Sequence, residues 1–359
     1  MGNLTRDLDI SGIARSQKII IFCQAPADVP YVLTLYEIYN REYSISIFVI
    51  NVEGMFQFLS DLHLNLEHLV YIPYELINLK KILLLNSERN RINSLWEKYF
   101  SNIKSGNVFF FSRFEDWLTA AFIHKFAEKR EIKISYVNHY DFSAQLFPVQ
   151  NIASLKIRVY LLILKYLTKV DFKANIRDRL PEFQIHKYPI LETKVELNGQ
   201  VFLKYAYNTN IFGKNTSNLL FFVSSGEETV YDPASYVGTL ISIISLFREV
   251  GFKIIVKGHP RTGLPESVRK VSDFEIPSYV PGEFINAANF SMCLGIDSTA
   301  ICYFAKNKIL PTYSVIKLFT YFNKALIEIF INFLQQQSNN EILFIDDFEK
   351  LKNIALIHL

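Results

Sequence analysis

The chain has 359 residues, of which 50% are hydrophobic and 20% are charged. This length and composition predict two folded domains with sizeable cores and exclude a disordered protein. A formal net charge of +3 is too small to favour nucleic-acid binding by electrostatics. The three cysteines lie far apart or in apolar runs, which excludes a disulfide framework and a CxxC metal site.

Residues 1–18 are polar and of mixed charge, and no apolar stretch reaches the about 20 residues of a membrane-spanning helix. We therefore expect a cytoplasmic protein. The segment 154–173 combines an apolar face with the basic residues Lys156, Arg158, Lys165, Lys169 and Lys173. This pattern is typical of a core helix with basic ends, which we favour. It is also typical of a helix on the inner face of a membrane, near a lipid-linked acceptor.

Short apolar runs alternate with longer amphipathic ones in the first part of the chain. The pattern predicts strands at 18–23, 44–51, 69–72, 107–111 and 132–137. It predicts helices at 29–39, with Asp28 as N-cap, and at 55–62, 76–100 and 115–129. This alternation indicates a parallel sheet covered by helices on both faces, in an N-terminal domain of residues 1–150.

A less regular region, 151–217, follows and contains the basic apolar helix at 154–169. The alternation then restarts in a C-terminal domain, 218–359. Strands are predicted at 218–223, 252–257, 289–294, 308–310 and 342–345. Helices are predicted at 233–250, 300–305, 315–336 and the C-terminus. The chain is thus predicted to be an α/β protein with two Rossmann-like domains facing across a cleft, where ligands bind at the carboxyl ends of the strands.

Polar residues follow four predicted strands or loops of the second domain. They are Ser224-Ser225-Gly226, Gly258-His259-Pro260-Arg261, the loop 277–283 ending in Glu283, and Asp297-Ser298-Thr299. Each segment alone is typical of a turn or a helix cap. Together they offer a phosphate cradle at a helix start, an imidazole and a carboxylate suited to ribose hydroxyls. The set predicts a nucleotide bound through its sugar and phosphate.

The segment Lys257-Gly258-His259-Pro260-Arg261 resembles the HP motif of bacterial sialyltransferases and polysialyltransferases. Residues 276–284, with Pro281 and Glu283, resemble the Pro/Glu segment that follows it in those enzymes. Ser298-Thr299 resembles their Ser-Ser/Ser-Thr motif. The order and spacing agree, with 24 residues from His259 to Glu283 and 15 from Glu283 to Ser298.

This resemblance implies a GT-B fold and an inverting, metal-independent glycosyltransferase without a cofactor. The enzyme would move a nonulosonic acid, such as sialic acid, from a CMP-sugar to a glycan or lipid-linked glycan acceptor in bacterial capsule or lipopolysaccharide synthesis. His259 would contact the CMP phosphate and help the leaving group depart. Glu283 would hold the ribose or cytosine, and Ser298 and Thr299 would bind phosphate oxygens. Charge develops on the phosphate as CMP leaves, so donors aimed there stabilise the transition state.

The N-terminal domain departs from the family's pattern, which has an acidic-acidic-Gly motif that supplies the general base. The corresponding segment, 137–143, reads VNHYDFS, with one carboxylate and no glycine. Asp141 is the first candidate for the base. His139, whose usual pKa suits proton abstraction near pH 7, is the second. An Asx turn with a packed histidine is the third interpretation.

Two other functions stay open. A transferase of the teichoic-acid polymerase type, which moves a polyol phosphate from CDP-glycerol, also has a His-Pro motif and a later segment similar to 295–299. The Pro/Glu segment favours the CMP-sugar enzyme. A catalytically inactive nucleotide-binding or assembly protein is the other alternative. We predict no metal site, because the DxD pair of Asp7 and Asp9 lies in a polar N-terminus before any predicted strand.

Overall fold

The computed structural model describes residues 6–9, 17–73, 85–111, 117–138, 155–174, 181–213, 217–224, 231–260, 262–322 and 324–359. The chain divides into two compact units, Met1–Val201 and Phe202–Leu359. The region 151–217, which we predicted to connect two domains, is shared between these units.

The strands of the first unit are β1 (Arg6–Asp9), β2 (Lys18–Cys23), β3 (Ser44–Ile50), β4 (His68–Ile72), β5 (Gly106–Phe110), β6 (Ile132–Val137), β7 (Phe172–Ala174), β8 (Pro181–Phe183) and β9 (Ile190–Thr193). β7 and β8 form a separate antiparallel pair. The main sheet has the order β1-β4-β3-β2-β5-β6-β9, and only β1 is antiparallel to its neighbour. Taken in chain succession, its six parallel strands have the Rossmann order 3-2-1-4-5-6.

The helices of this unit are α1 (Val29–Tyr39), α2 (Glu53–Asp61), α3 (Leu85–Tyr99), α4 (Trp117–Ala127) and α5 (Leu155–Thr168). The core between sheet and helices is rich in phenylalanine, including the stacked rings of Phe22 and Phe122, with centroids 5.7 Å apart. Asp28 is at the predicted N-cap position of α1, but its side chain makes no cap hydrogen bond, and its carboxylate instead accepts from the backbone N–H groups of Gln24 and Ala25.

α5 is the predicted basic apolar helix. Leu164 and Leu167 are buried in the core, as the interpretation that we favoured predicts, while Leu162 is 66% exposed on the other face. Lys165 pairs with Asp171 at 2.7 Å just beyond the helix. Within the described residues, no helix has both the length and the apolar character needed to cross a bilayer.

After α6 (Gly199–Lys204), the second unit contains β10 (Asn218–Phe222), α7 (Pro233–Val250), β11 (Lys253–Lys257), α8 (Glu266–Val271), β12 (Phe274–Ile276), β13 (Met292–Gly295), α9 (Thr299–Lys306), β14 (Thr312–Ser314), α10 (Lys324–Gln337), β15 (Leu343–Phe344) and α11 (Phe348–Ile357). Its sheet is parallel throughout, in the order β12-β11-β10-β13-β14-β15. This is the Rossmann order a second time. The predicted α/β fold of two Rossmann-like units, the composition of the GT-B type, is confirmed.

Three predictions about elements were wrong. The strand predicted at 308–310 begins at Thr312, because α9 ends in a turn in which Lys308 has a φ of +51°. The helix predicted from 315 is a short 3-10 turn at Ile316–Leu318 followed by α10 from Lys324. The N-terminal DxD pair lies within a strand, β1, rather than before the first one.

Candidate functional site

The register of the second sheet aligns four strand ends. Phe222, the last residue of β10, pairs with Lys257 of β11 on one side and with Gly295 of β13 on the other. Lys257 pairs in turn with Ile276, the last residue of β12. The segments that follow these strands therefore start at one edge of one sheet. They carry Ser224, His259, the loop 277–283 and the start of α9, which are the residues that the sequence singled out.

The start of α9 is capped and tightly packed. Ser298 is its N-cap, and the Ser298 hydroxyl oxygen accepts from the Ala300 backbone N–H at 3.3 Å. Thr299 is the exposed first residue of the helix. A Cβ on Gly282 would lie 2.4 Å from the Ala300 Cβ, so glycine lets the loop 277–283 approach the helix. The free N–H groups and positive dipole end of such a helix start favour an anion.

His259 and Pro260 lie in a tight turn after β11. The backbones of His259 and Gly263 exchange two hydrogen bonds, of 3.1 and 2.8 Å. A Cβ on Gly258 would lie 2.6 Å from the Gly263 carbonyl, so this turn needs glycine at 258. The half-buried imidazole of His259 has its Nδ1 3.5 Å from the Thr262 hydroxyl. The turn therefore fixes the backbone on both sides of the imidazole.

Lys257 is buried, and it lies close enough to the partly buried Glu283 for their opposite charges to interact. Lys257 is 3% exposed, and its ammonium donates to the backbone oxygens of Gly258 and Ser278, each at 3.2 Å. Burial lowers the pKa of Lys257 to about 8, and the charge of Glu283 partly offsets this. Burial likewise raises the pKa of Glu283, against the opposing effect of Lys257. The low dielectric thus pulls both groups toward their neutral forms.

A cavity of ≈ 510 Å³ adjoins Glu283 within the second unit. Glu283 is partly exposed and is one of the residues that line this cavity. The walls are mostly apolar and include Phe202 and Tyr303, whose ring centroids lie 4.9 Å apart. The volume is within the range of small-molecule sites, about 300–1,000 Å³, and few polar groups line it, which is also typical of them.

Ser224 has a partner that the sequence did not indicate. Its hydroxyl donates to Asp297, and the Tyr231 phenol donates to the other oxygen of the same carboxylate at 2.6 Å. Asp297 lies 73 residues after Ser224, so no local pattern could have shown this contact. Asp297 was predicted only as part of a helix cap, whereas Ser298 alone accepts the cap hydrogen bond.

Four predicted site residues lie outside the described residues: His139, Asp141, Ser225 and Gly226. The described range 117–138 ends just before His139 and Asp141. Its last residue, Asn138, follows β6, and the side-chain amide of Asn138 donates to the Glu192 carboxylate at 2.7 Å. In the described part of the chain, no three His, Cys, Asp or Glu side chains cluster so as to hold a metal ion.

No family model matches the chain, and no curated protein matches it. Solved structures are similar in fold. One is the Methanocaldococcus jannaschii UDP-GlcNAc 2-epimerase in complex with UDP-GlcNAc and UDP, with 13% identity and a TM-score of 0.47 over 95% of this chain and 93% of that one. Another is Arabidopsis thaliana UGT89C1 complexed with UDP-L-rhamnose, with 12% identity and a TM-score of 0.45 over 96% and 91%.

A third similar structure is the E. coli ADP-heptose LPS heptosyltransferase II, with 13% identity and a TM-score of 0.37 over 83% of this chain and 84% of that one. At these scores, the assignment of two Rossmann-like units rests on the strand order of the two sheets. Function has to be argued from the side chains at the edge of the second sheet.

Proposed function

We propose that this protein is a glycosyltransferase that moves a nonulosonic acid, such as sialic acid, from a CMP-activated donor to a glycan acceptor of the bacterial surface, with inversion and without a metal ion. The observation that carries the proposal is the register of Phe222, Lys257, Ile276 and Gly295. It gathers the His-Pro turn, the Glu283 loop and the capped start of α9 at the carboxyl edge of one Rossmann-like sheet, where α/β proteins bind ligands.

The proposed chemistry breaks the bond between the anomeric carbon of the donor and a phosphate oxygen of CMP. Negative charge then grows on the departing phosphate. The His259 imidazole, the Ser298 hydroxyl and the free N–H groups at the start of α9 are donors suited to that charge. Because the start of α9 and the His259 turn are fixed by backbone hydrogen bonds, these donors need little reorganisation during the reaction.

The nucleoside of the donor is assigned to the Glu283 side of the site. A carboxylate accepts hydrogen bonds from two vicinal hydroxyls, and the two free hydroxyls of a ribose have that arrangement. The aromatic rings of Phe202 and Tyr303 in the adjoining cavity offer an apolar surface for a base. Lys257 keeps the loop that carries Glu283 attached to β11.

The acceptor is activated by a base that we assign to Asp141, with His139 as the alternative. The base removes the proton of the attacking hydroxyl as its oxygen bonds to the anomeric carbon. Asp141→Asn and His139→Ala, assayed side by side with CMP-sialic acid and a glycan acceptor panel, test the assignment. The base variant loses turnover while its affinity for CMP is unchanged, and normal turnover in both variants would exclude both residues.

Thermal shift with CMP, CDP and UDP tests the donor class. We expect CMP to raise the melting temperature with increasing concentration, as a ligand of the folded state does. Stabilisation by UDP but not by CMP would overturn the proposed donor, and stabilisation by CDP alone would favour the polyol-phosphate transferase. Binding of CMP with neither hydrolysis nor transfer on any acceptor would indicate the inactive nucleotide-binding protein.

A further inference from the structure

Asp297 joins two parts of the second unit that are distant in sequence. Its carboxylate accepts from the Ser224 hydroxyl and from the Tyr231 phenol, which are the residues on either side of the segment 225–230. Asp297 itself directly precedes Ser298, the N-cap of α9. One carboxylate therefore connects the chain that leaves β10 and the chain that enters α7 to the start of α9.

The two donors to Asp297 are held by buried contacts of their own. Ser224 is 6% exposed and Tyr231 is 2% exposed. Tyr236 donates to the Ser224 backbone oxygen at 3.0 Å, and the Tyr231 ring lies 4.9 Å from the rings of both Tyr236 and Tyr321. Burial, and to a lesser extent the charge of Asp297, raise the pKa of Tyr231, so its phenol stays protonated and keeps donating.

Ser224 and Ser298 differ in whether their hydroxyl hydrogen is free to bind a phosphate. A serine hydroxyl has one hydrogen to donate, and Ser224 gives it to Asp297. The oxygens of an ionised phosphate only accept, so Ser224 has no hydrogen for a phosphate while this bond is made. Ser298 uses an oxygen lone pair to accept from Ala300 and keeps its own hydrogen. Of the two, Ser298 alone retains a donor for the phosphate.

We propose that Asp297 is a positioning residue of the donor site and that Ser224 acts through Asp297 rather than by touching the phosphate. This inference rests on the proposed function, because it concerns the same nucleotide. Each carboxylate oxygen of Asp297 has a hydroxyl donor, and the positive end of α9 lies next to it.

The test is a double-mutant cycle read out as the Kd for CMP. In Asp297→Asn the side chain keeps its shape, but its NH2 group cannot accept, so one of the two hydroxyls loses its acceptor. We expect Asp297→Asn to weaken CMP binding about tenfold, and Ser224→Ala to weaken it by the same factor or less. The double variant should bind CMP no more weakly than Asp297→Asn alone, because both changes remove one connection.

Asp273→Asn is the matched control. Like Asp297, Asp273 accepts hydrogen bonds at both carboxylate oxygens, here from the Ile254 backbone N–H at 2.8 Å and from Arg248 at 3.2 Å, but it precedes β12 at the opposite end of the strands. It should bind CMP like the wild type. Tyr231→Phe removes only the phenol donor and serves if Asp297→Asn does not fold. Tyr231→Phe should weaken CMP binding less than tenfold. The double-mutant cycle is then made with Ser224→Ala and Tyr231→Phe.

Two results would overturn the inference while the proposed function stands: a folded Asp297→Asn variant that binds CMP like the wild type, or effects of Ser224→Ala and Asp297→Asn on Kd that multiply. A wild type that does not bind CMP would overturn the proposed function. Urea unfolding then tests whether Ser224 and Asp297 act together, using the wild type, Asp297→Asn, Ser224→Ala and the double variant. Non-additive shifts of the unfolding midpoint support it, and additive shifts overturn it.

Discussion

The ammonium group of Lys257 donates a hydrogen bond to the backbone oxygen of Ser278 at 3.2 Å. A buried lysine at the end of β11 thus holds the loop that carries Glu283, and a second bond to the Gly258 carbonyl links it to the His259 turn. Two segments of the predicted nucleotide site therefore share one internal support. The lysine that the sequence grouped with the HP motif lies beneath the surface of the site, not on it.

Lys257→Met tests the burial of this ammonium group through the pH dependence of stability. The folded protein holds the pKa of Lys257 at about 8, below its usual 10.5, so between these pH values the unfolded chain binds the extra proton. Stability from this group therefore rises as pH increases from 8 to 10.5, by about 3 kcal/mol at most. Urea unfolding should show this rise in the wild type relative to Lys257→Met. Lys253→Met, at an exposed lysine of the same strand, should keep the wild-type profile. Parallel profiles for the wild type and Lys257→Met would show that the ammonium is not desolvated.

His259→Ala should reduce turnover by about 10²–10³-fold, the scale for removing one donor that stabilises developing charge. We expect this loss because the His259 imidazole is proposed to donate a hydrogen bond to the departing CMP phosphate. Initial rates with CMP-sialic acid and a glycan acceptor measure the effect. His186→Ala, at an exposed histidine of the first unit, is the control and should keep full turnover. Undiminished turnover in His259→Ala would remove this residue from the mechanism.

Ser298 is assigned two roles, helix cap and phosphate donor, which two substitutions separate. Ser298→Ala removes the cap and should lower the free energy of unfolding by about 1 kcal/mol. Ser298→Asp supplies another good N-cap and should retain most of the stability, but it places a negative charge where the phosphate is proposed to bind. Both variants should bind CMP more weakly, Ser298→Asp most of all. Tight CMP binding by Ser298→Asp would place the phosphate elsewhere.

Gly282→Ala tests the packing of the Glu283 loop on α9. The added methyl would lie 2.4 Å from the Ala300 Cβ and 2.9 Å from the Phe222 ring, so the loop has to shift. We expect a loss of about 1–3 kcal/mol of stability, together with weaker CMP binding. Gly238→Ala is the matched control, since its methyl meets nothing within 4 Å inside α7. It should gain about 0.5–1 kcal/mol. Equal stabilities for the two variants would contradict the close approach.

The sequence indicated most of the regular elements because buried parallel strands are nearly continuous apolar runs. The run 18–23 forms β2 with only its first residue partly exposed, and the helix predicted at 233–250 is α7 with the same bounds. The N-cap of α11 is of the same local kind, since the carboxylate of Asp347, the residue before the helix, accepts from the Lys350 backbone N–H. Such signals were sufficient because each lies within a few residues of the element it defines.

One strand, one strand boundary and one helix cap escaped prediction. β9 has a weak pattern, with two of its four residues exposed, and is a strand because it pairs with β6. β14 begins after Pro311 because the turn at Lys308 first ends α9. Asp28 has the residue type and the position of a helix N-cap, but its carboxylate accepts hydrogen bonds from the backbone N–H groups of Gln24 and Ala25, which precede it in the chain. A distant strand decided the first case, and local backbone conformation and hydrogen bonding decided the other two.

By itself, the sequence determined the two α/β halves and the polar residues at the ends of the strands, because apolar periodicity and chain order are local properties. The tertiary structure decided two of the partners there: Asp297 for Ser224, and Lys257 for the loop of Glu283. A hydroxyl or an ammonium bonds to whatever acceptor the packed chain brings within about 3 Å. That neighbour is set by strand order and burial, which no pattern of residue types within one segment contains.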